Sequence, residues 1–396
     1  MRRMSDTSNP AASLPAGATP TDPVLAEWSA CLRAATDTHG RVRIQGGHSK
    51  DFYGEPPAPS APPATVLDTR AYRGIVAHEP TELVVTAKAG TPLNELEAAL
   101  AAHGQCLAFE PPHFGPDATV GGMVAAGLSG PARASVGAVR DFVLGLQMLN
   151  GRGEWLVFGG QVMKNVAGYD VSRLLAGSWG TLGVITEVSL KVLPVAPAEA
   201  TLRFALPQAQ ALAQLARWRG QPLPLNASCW VHDPELGESL YVRLRGAVAA
   251  VESACQRMLQ EVPGQRLDQA AVATDWVACR EQTLPFFGQP PSADHGLWRL
   301  SVAPAAPVLA LAQAPLVEWF GGLRWTWAPL AEGPRLLALA QAAGGHATLF
   351  RAPASAPDAR QRFTPPSAAV QTIQQRLRQA FDPAGIFDSG RHGGAL

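Results

Sequence analysis

The chain has 396 residues, Lys+Arg and Asp+Glu at 32 each, and 16% charged residues where about 25% is usual. That balance excludes a general field for nucleic acid or an anionic membrane surface, while 47% apolar residues supply a large core and exclude overall disorder. The 38 glycines and 35 prolines exceed ordinary usage and need a cause.

Residues 1–20 are rich in Ser, Ala, Pro and Thr and predict a disordered tail with no apolar leader core. A helix is predicted over 24–35 and a strand over 41–45, followed by a Pro-rich loop over 55–64. Strands over 65–68 and 83–87 precede a helix over 92–103, with Thr91 as its N-cap and Pro92 at the first helical position. A Gly-rich loop with a short helix spans 109–137. Asn150-Gly151 joins strands 143–149 and 154–158 as a hairpin, and 184–193 is a β-branched strand. Pro194 and Pro197 then mark a domain boundary.

Beyond them, 201–206, 208–218, 225–232, 240–244 and 247–259 read β-α-β-β-α. A second such unit runs through 297–303, a weak helix after Pro304, 323–327, 334–343 and 346–350. Two ferredoxin-like units in one sheet are expected, and one more helix in the last 34 residues. The five cysteines (Cys31, Cys106, Cys229, Cys255, Cys279) form no C-x-x-C, which argues against an Fe–S or cysteine-ligated zinc site and for reduced thiols. The nine histidines contain no H-x-H or H-E-x-x-H, so no metal is expected. No run approaches about 18 apolar residues, so no membrane span is predicted and the cytoplasm is the expected compartment.

Three glycine loops stand out. Gln45-Gly46-Gly47-His48-Ser49-Lys50 follows a strand and lets backbone N–H groups ring an anion, yet it is neither a Walker loop nor a Rossmann fingerprint. In Thr119-Val120-Gly121-Gly122-Met123-Val124-Ala125-Ala126-Gly127-Leu128-Ser129-Gly130, small residues at a helix start let a flat or phosphorylated ligand touch backbone. The third, Gly177-Ser178-Trp179-Gly180-Thr181-Leu182-Gly183-Val184-Ile185, leads into a β-branched strand.

In this order and spacing the loops resemble the FAD-binding domain of the vanillyl-alcohol-oxidase-type (PCMH) flavoproteins. Further segments resemble the FAD-binding subunits of bacterial glycolate oxidase: Glu110-Pro111-Pro112-His113-Phe114-Gly115, Gly130-Pro131-Ala132-Arg133, Val139-Arg140-Asp141-Phe142, Lys164-Asn165-Val166-Ala167-Gly168-Tyr169-Asp170, Leu284-Pro285-Phe286-Phe287 and Gly344-Gly345-His346. The resemblance implies an α+β fold, with a PCMH-type FAD-binding domain of two α+β subdomains over 21–195. An antiparallel-sheet cap of ferredoxin-like units over 196–360 and a C-terminal helix and tail over 361–396 would follow.

It also implies site roles. Gln45, Gly46, Gly47, His48, Ser49 and Lys50, with Thr119, Val120, Gly121 and Gly122, would hold the FAD pyrophosphate by backbone N–H. Gly127, Ser129, Gly130 and Gly137 would flank the flavin, and Gly180, Gly183, Val184 and Ile185 would lie near the adenosine. His48 stands where some relatives carry a flavin-bonded histidine; the alternative is a polar loop residue. Asp388-Ser389-Gly390-Arg391 departs from the family's Asn-Pro-Gly-Arg, which weakens a precise role for Arg391.

The candidate catalytic groups are Tyr169, by its segment, and Arg299, Arg324 and His346, by strand alternation in the cap. If those faces coincide above the flavin, two guanidiniums bind a carboxylate and His346 acts as base. The implied function is the FAD subunit of a multi-subunit glycolate oxidase, turning glycolate or a related small 2-hydroxy acid into glyoxylate. A second FAD-containing subunit and an Fe–S subunit would be its partners, and the complex would permit peripheral membrane association. A non-catalytic FAD-binding assembly or relay module, and a self-sufficient dehydrogenase, are the alternatives.

Overall fold

The computed structural model describes residues 20–56, 63–160, 170–233, 235–288, 290–387 and 391. The expected N-terminal tail, Tyr169 with the segment before it, and Asp388-Ser389-Gly390 lie outside these residues.

Helix α1 (Pro23–Thr38) starts where the Asp22 carboxylate accepts the amides of Val24 and Leu25, and it ends on left-handed His39. Its face of Leu25, Trp28, Leu32 and Ala35 packs near a parallel pair, β1 (Arg41–Gln45) and β2 (Ala64–Asp68). A five-stranded antiparallel sheet follows, in the order β3 (Ile75–Glu79), β4 (Val84–Lys88), β7 (Val184–Lys191), β5 (Val143–Leu149) and β6 (Trp155–Gly159). Helices α2 (Leu93–Ala101) and α3 (Val120–Ala126) share its buried core. Strand β3 is absent from the sequence expectation; it is an edge strand, half exposed, and its pattern lacks alternation.

Two local expectations need correction. The Thr91 hydroxyl does not cap α2: it bonds the backbone of Gly74, and the helix begins after Pro92 with no side-chain cap. The hairpin between β5 and β6 forms, but through a longer turn in which Asn150 Oδ1 accepts the amides of Arg152 and Glu154. Gly151 is small there because a Cβ would meet Asp382 at 2.5 Å.

The second large sheet has eight strands. Chain order gives β8 (Ala198–Ala205), α4 (Gln208–Arg219), β9 (Leu225–Asp233), β10 (Gly237–Gly246), α5 (Val248–Glu261), β11 (Gln265–Arg266) and α6 (Gln269–Glu281). Then come β12 (His295–Ser301), β13 (Leu316–Glu318), β14 (Leu323–Pro329), α7 (Gly333–Ala342) and β15 (His346–Arg351), and finally α8 (Ala368–Phe381). The spatial order is β11-β8-β10-β9-β13-β14-β12-β15, two ferredoxin-like units joined edge to edge at β9 and β13. The helix expected after Pro304 does not form; an irregular stretch leads into β13, so the second unit lacks its first helix. Helix α6, also unforeseen, packs Val272, Trp276 and Cys279 on the face turned toward the first sheet's loops.

Carboxylates join the two halves. Glu110 accepts from Arg243 at 2.6 and 2.7 Å, from Arg245 at 2.8 Å and from the amide of Ala132 at 3.0 Å. Glu281 accepts the amides of His113 and Phe114, and Glu55 those of Gln361 and Arg362. Burial alone would raise the pKa of Glu110, but the charges of Arg243 and Arg245 hold it below the usual carboxylate range. Its contribution is therefore present above the unfolded carboxyl's range and lost as pH falls through the folded value. We expect Glu110→Gln to cost about 3–5 kcal/mol in urea unfolding and to remove part of the acid-induced destabilisation, because Arg243 is left buried without its charge partner.

Candidate functional site

An open cleft lies between β1, α3 and the turn before β7, enclosing about 100 Å³. Helix α3 explains its floor. Val120, Met123 and Val124 point into the core, while Gly121, Gly122, Ala125 and Ala126 line the cleft, so the helix offers almost bare backbone. Thr119 caps this helix, its hydroxyl accepting the Gly122 amide at 3.2 Å. Opposite runs Gly46 to Asp51, in which the amides of Gly47, His48 and Ser49 have no hydrogen-bond partner among the described residues. Such outward-facing amides make an anion-binding concavity.

The glycines divide by what surrounds them. A Cβ on Gly47 would lie 1.5 Å from the Asp117 carbonyl, and one on Gly121 would lie 2.7 Å from Ala89 Cβ, so both serve chain packing. A Cβ on Gly122 meets only Thr119 Oγ1, at 3.0 Å, and otherwise faces the open cleft. Gly180 and Gly183 line the cleft with positive φ, together with Ile185. Lys50 Nζ bonds the His113 carbonyl at 3.1 Å, and burial lowers its pKa to about 8, opposed in part by the Glu281 charge. The His48 ring meets the Asp51 carboxylate at 2.8 Å.

Of the expected cofactor residues, Gln45 to Lys50, Thr119, Gly121, Gly122, Gly180, Gly183 and Ile185 converge on this cleft. Val120 and Val184 do not: their side chains are buried in two separate core clusters. Gly127 is the left-handed end of α3, and Gly137 the end of the turn Arg133–Val136. Thr69, Ala89 and Trp179, for which the sequence predicts no role, also line the cleft, as does Arg391 despite the altered motif before it. Trp179 lies 4.5 Å from Tyr53 and has the Arg391 guanidinium 5.4 Å from its ring centre. Only the fold brings these distant segments together.

A second, much smaller cavity, about 20 Å³, lies where Leu128, Ser129, Gly130 and Pro131 meet the cap. Its cap wall includes Arg299, Glu318, Trp319, Trp325 and Phe350. Trp319 Nε1 donates to the Gly130 carbonyl at 3.0 Å and fastens the two walls. The guanidiniums of Arg133 and Arg299 lie 4.4 and 5.3 Å from the Trp319 ring centre, and neither has a carboxylate partner among the described residues.

The expected pairing of Arg299 with Arg324 does not form. Directly opposed residues of an antiparallel pair share a face, and here Arg299 opposes Trp325 while Arg324 opposes Leu300. The two arginines therefore point to opposite sides of the sheet. Arg324 donates to the carbonyls of Gly321, Pro307 and Ala306, and burial lowers its pKa to about 10. His346 opposes Ser301 and shares the Arg299 face. Partial burial and the charges of Arg299 and Arg133 hold its pKa below the ordinary value. Glu318 and Arg280 line this cavity and Arg133 lies on its Trp319 wall, none of them predicted from the sequence as site residues.

Residues 23–159 match the family described as FAD binding domain. The chain is 45% identical over 349 residues to glycolate oxidase subunit GlcE of Escherichia coli, covering 88% of this chain and 91% of that protein. It is 38% identical over 96 residues to glycolate oxidase subunit GlcD of Bacillus subtilis, 24% of this chain and 20% of that one. The fold matches alkyldihydroxyacetonephosphate synthase with a TM-score of 0.61 at 14% identity, covering 90% of this chain and 74% of the other.

The cleft fits FAD: unpartnered amides suit a pyrophosphate, and the bare face of α3 suits a flat or extended ligand. Gly122→Val is expected to yield folded protein without FAD, read from the flavin absorbance of the purified chain and an unchanged far-UV spectrum. Gly121→Val should instead lower stability as well, because its side chain meets Ala89.

Proposed function

Because the chain belongs to the family of FAD-binding glycolate oxidase subunits, we propose that it oxidises glycolate, or a closely related small 2-hydroxy acid, to the 2-oxo acid within a multi-subunit complex. The chain is an FAD-dependent oxidoreductase. In this reading residues 21–195 form the cofactor domain and 196–360 a cap that supplies the substrate wall. Electrons pass on to a second FAD-containing subunit and an Fe–S subunit in the cytoplasm. Among the described residues, no helix is long and apolar enough to cross a membrane.

The observation behind this reading is the pair of unpartnered guanidiniums, Arg133 and Arg299, stacked on Trp319 beside the small cavity. A half-buried arginine without a carboxylate is favourable where an anionic ligand completes it. Bound FAD supplies hydride acceptance. The chain's own residues do the rest: Arg299 and Arg133 hold the acid's carboxylate, Trp319 and Phe350 exclude water, and Ser129 and Gly130 form the facing wall on the cofactor domain.

Arg299→Met is expected to raise the KM for glycolate about 10–100-fold with FAD content unchanged, as loss of a charge-assisted bond requires. The assay is dye reduction by the purified complex. An unchanged KM would remove Arg299 from the substrate, and absence of flavin bleaching by any small 2-hydroxy acid would overturn the reading.

A further inference from the structure

Glu318 closes β13 and lies with Cys229 and Leu323, its cross-strand partners, on the sheet face turned to the cofactor domain. Its side chain lines the small cavity beside Arg299 and Trp319, although the residue is only 4% exposed. Trp325 Nε1 donates to one oxygen at 2.7 Å and the Cys279 thiol to the other at 3.3 Å. Among the described residues no arginine, lysine or histidine lies in ion-pair range, which is unusual for a carboxylate this deeply buried. The next two residues, Trp319 and Phe320, hold φ of 53° and 54°, a conformation that bulky side chains avoid. Such strain collects at functional sites, and here it orients the strand end that bears Glu318.

We propose that Glu318 is the catalytic base of this site, accepting the proton of the substrate hydroxyl; the inference rests on the 2-hydroxy-acid reading above. The O–H bond breaks and its proton forms a carboxylic acid on Glu318. The carbon–hydrogen bond breaks with its electron pair leaving as hydride to the bound flavin, and the oxygen and carbon become a carbonyl. The acid is oxidised by two electrons and the cofactor is reduced by two. Arg299 lines the same cavity as Glu318, and Arg133 lies on the Trp319 ring that forms part of its wall, so the proposed carboxylate anchor and base are adjacent.

His346 is the weaker base. It stands at the start of β15, where partial burial and then the charges of Arg299 and Arg133 lower its proton affinity. For Glu318 the opposite holds. Burial raises its pKa to about 7, against the pull of the Trp325 and Cys279 hydrogen bonds and the Arg299 charge, with Glu110 adding to the rise. The titratable and charged groups around it are Cys229 from β9, Cys279 and Arg280 from α6, Arg299 from β12 and, farther away, Glu110.

The test uses the FAD-loaded complex and glycolate. In the wild type the rate of anaerobic flavin bleaching should rise with pH through the neutral range and then level. Glu318→Gln should keep FAD and keep glycolate binding, read as a perturbation of the flavin spectrum, but bleach at least about 100-fold more slowly with that pH dependence gone. Independently of turnover, infrared titration should show a buried carboxylic-acid band that disappears around neutral pH in the wild type and is missing from Glu318→Gln. If that variant does not fold, Trp325→Phe decides: loss of the indole donor should move the midpoint of the pH profile upward. Bleaching of Glu318→Gln at the wild-type rate, or an unmoved profile in Trp325→Phe, overturns the role of Glu318. A wild-type complex that glycolate does not bleach overturns the functional reading instead.

Discussion

Glu110 is the constraint on which the site geometry depends. Its carboxylate takes two arginines from β10 and the Ala132 amide from the loop that carries Gly130 and Arg133. One buried side chain therefore sets the cap's position and the loop's height together. One buried and one half-buried guanidinium and a backbone amide offset the desolvation of that charge, and Arg243 is further stabilised by Asn226 and by the Trp276 ring. Rotating the cap relative to the cofactor domain would strand these charges, so the small cavity is held at one width rather than over a range of widths.

The cap sheet works as a two-sided plate. One side buries Trp298, Leu300, Ala347 and Leu349 beneath α7, and the other turns Arg299, Trp325 and Phe350 toward the cofactor domain. Strand register alone decides which arginine faces the cofactor domain. Arg299 and Arg324 look equivalent in alternation, but the pairing of β12 with β14 sends them apart. Arg324 is no less important to the site for being on the far side. Its three bonds to carbonyls of Gly321, Pro307 and Ala306 hold the strained turn after Glu318.

Much of the cofactor cradle is legible in the sequence because backbone access needs glycine, and glycine is visible at fixed offsets from strands and helix starts. The same logic misreads glycines whose smallness serves the chain: Gly47 and Gly121 are crowded by Asp117 and Ala89, and only Gly122 opens cleanly to the cleft. The ferredoxin-like halves are legible as repeated β-α-β-β-α patterns. Helix α6 is not, since its weak amphipathicity gives little period to detect, and β13 is three residues long. Arg133 and Glu318 escape for another reason. A charge in a sequence reads as solvated surface, and only packing shows that Arg133 lies on Trp319 and that Glu318 is enclosed.

Taken together, the unpaired charges explain one another. Among the described residues, Arg133 and Arg299 have no carboxylate and share the Trp319 ring, and Glu318 has no cation, yet Glu318 forms no ion pair with Arg299 although both line one small cavity. Pairing them would satisfy both groups and silence both, because a salt bridge would lower the proton affinity of Glu318 and occupy the anion site. Trp319 and Trp325 prevent it. Their ring faces hold the arginine, and the Trp325 indole N–H holds the carboxylate by a neutral hydrogen bond. Separation by aromatic rings thus keeps the proposed anion site and the proposed base adjacent but unpaired, and the positive φ of Trp319 and Phe320 accompanies the placing of the first of those rings there.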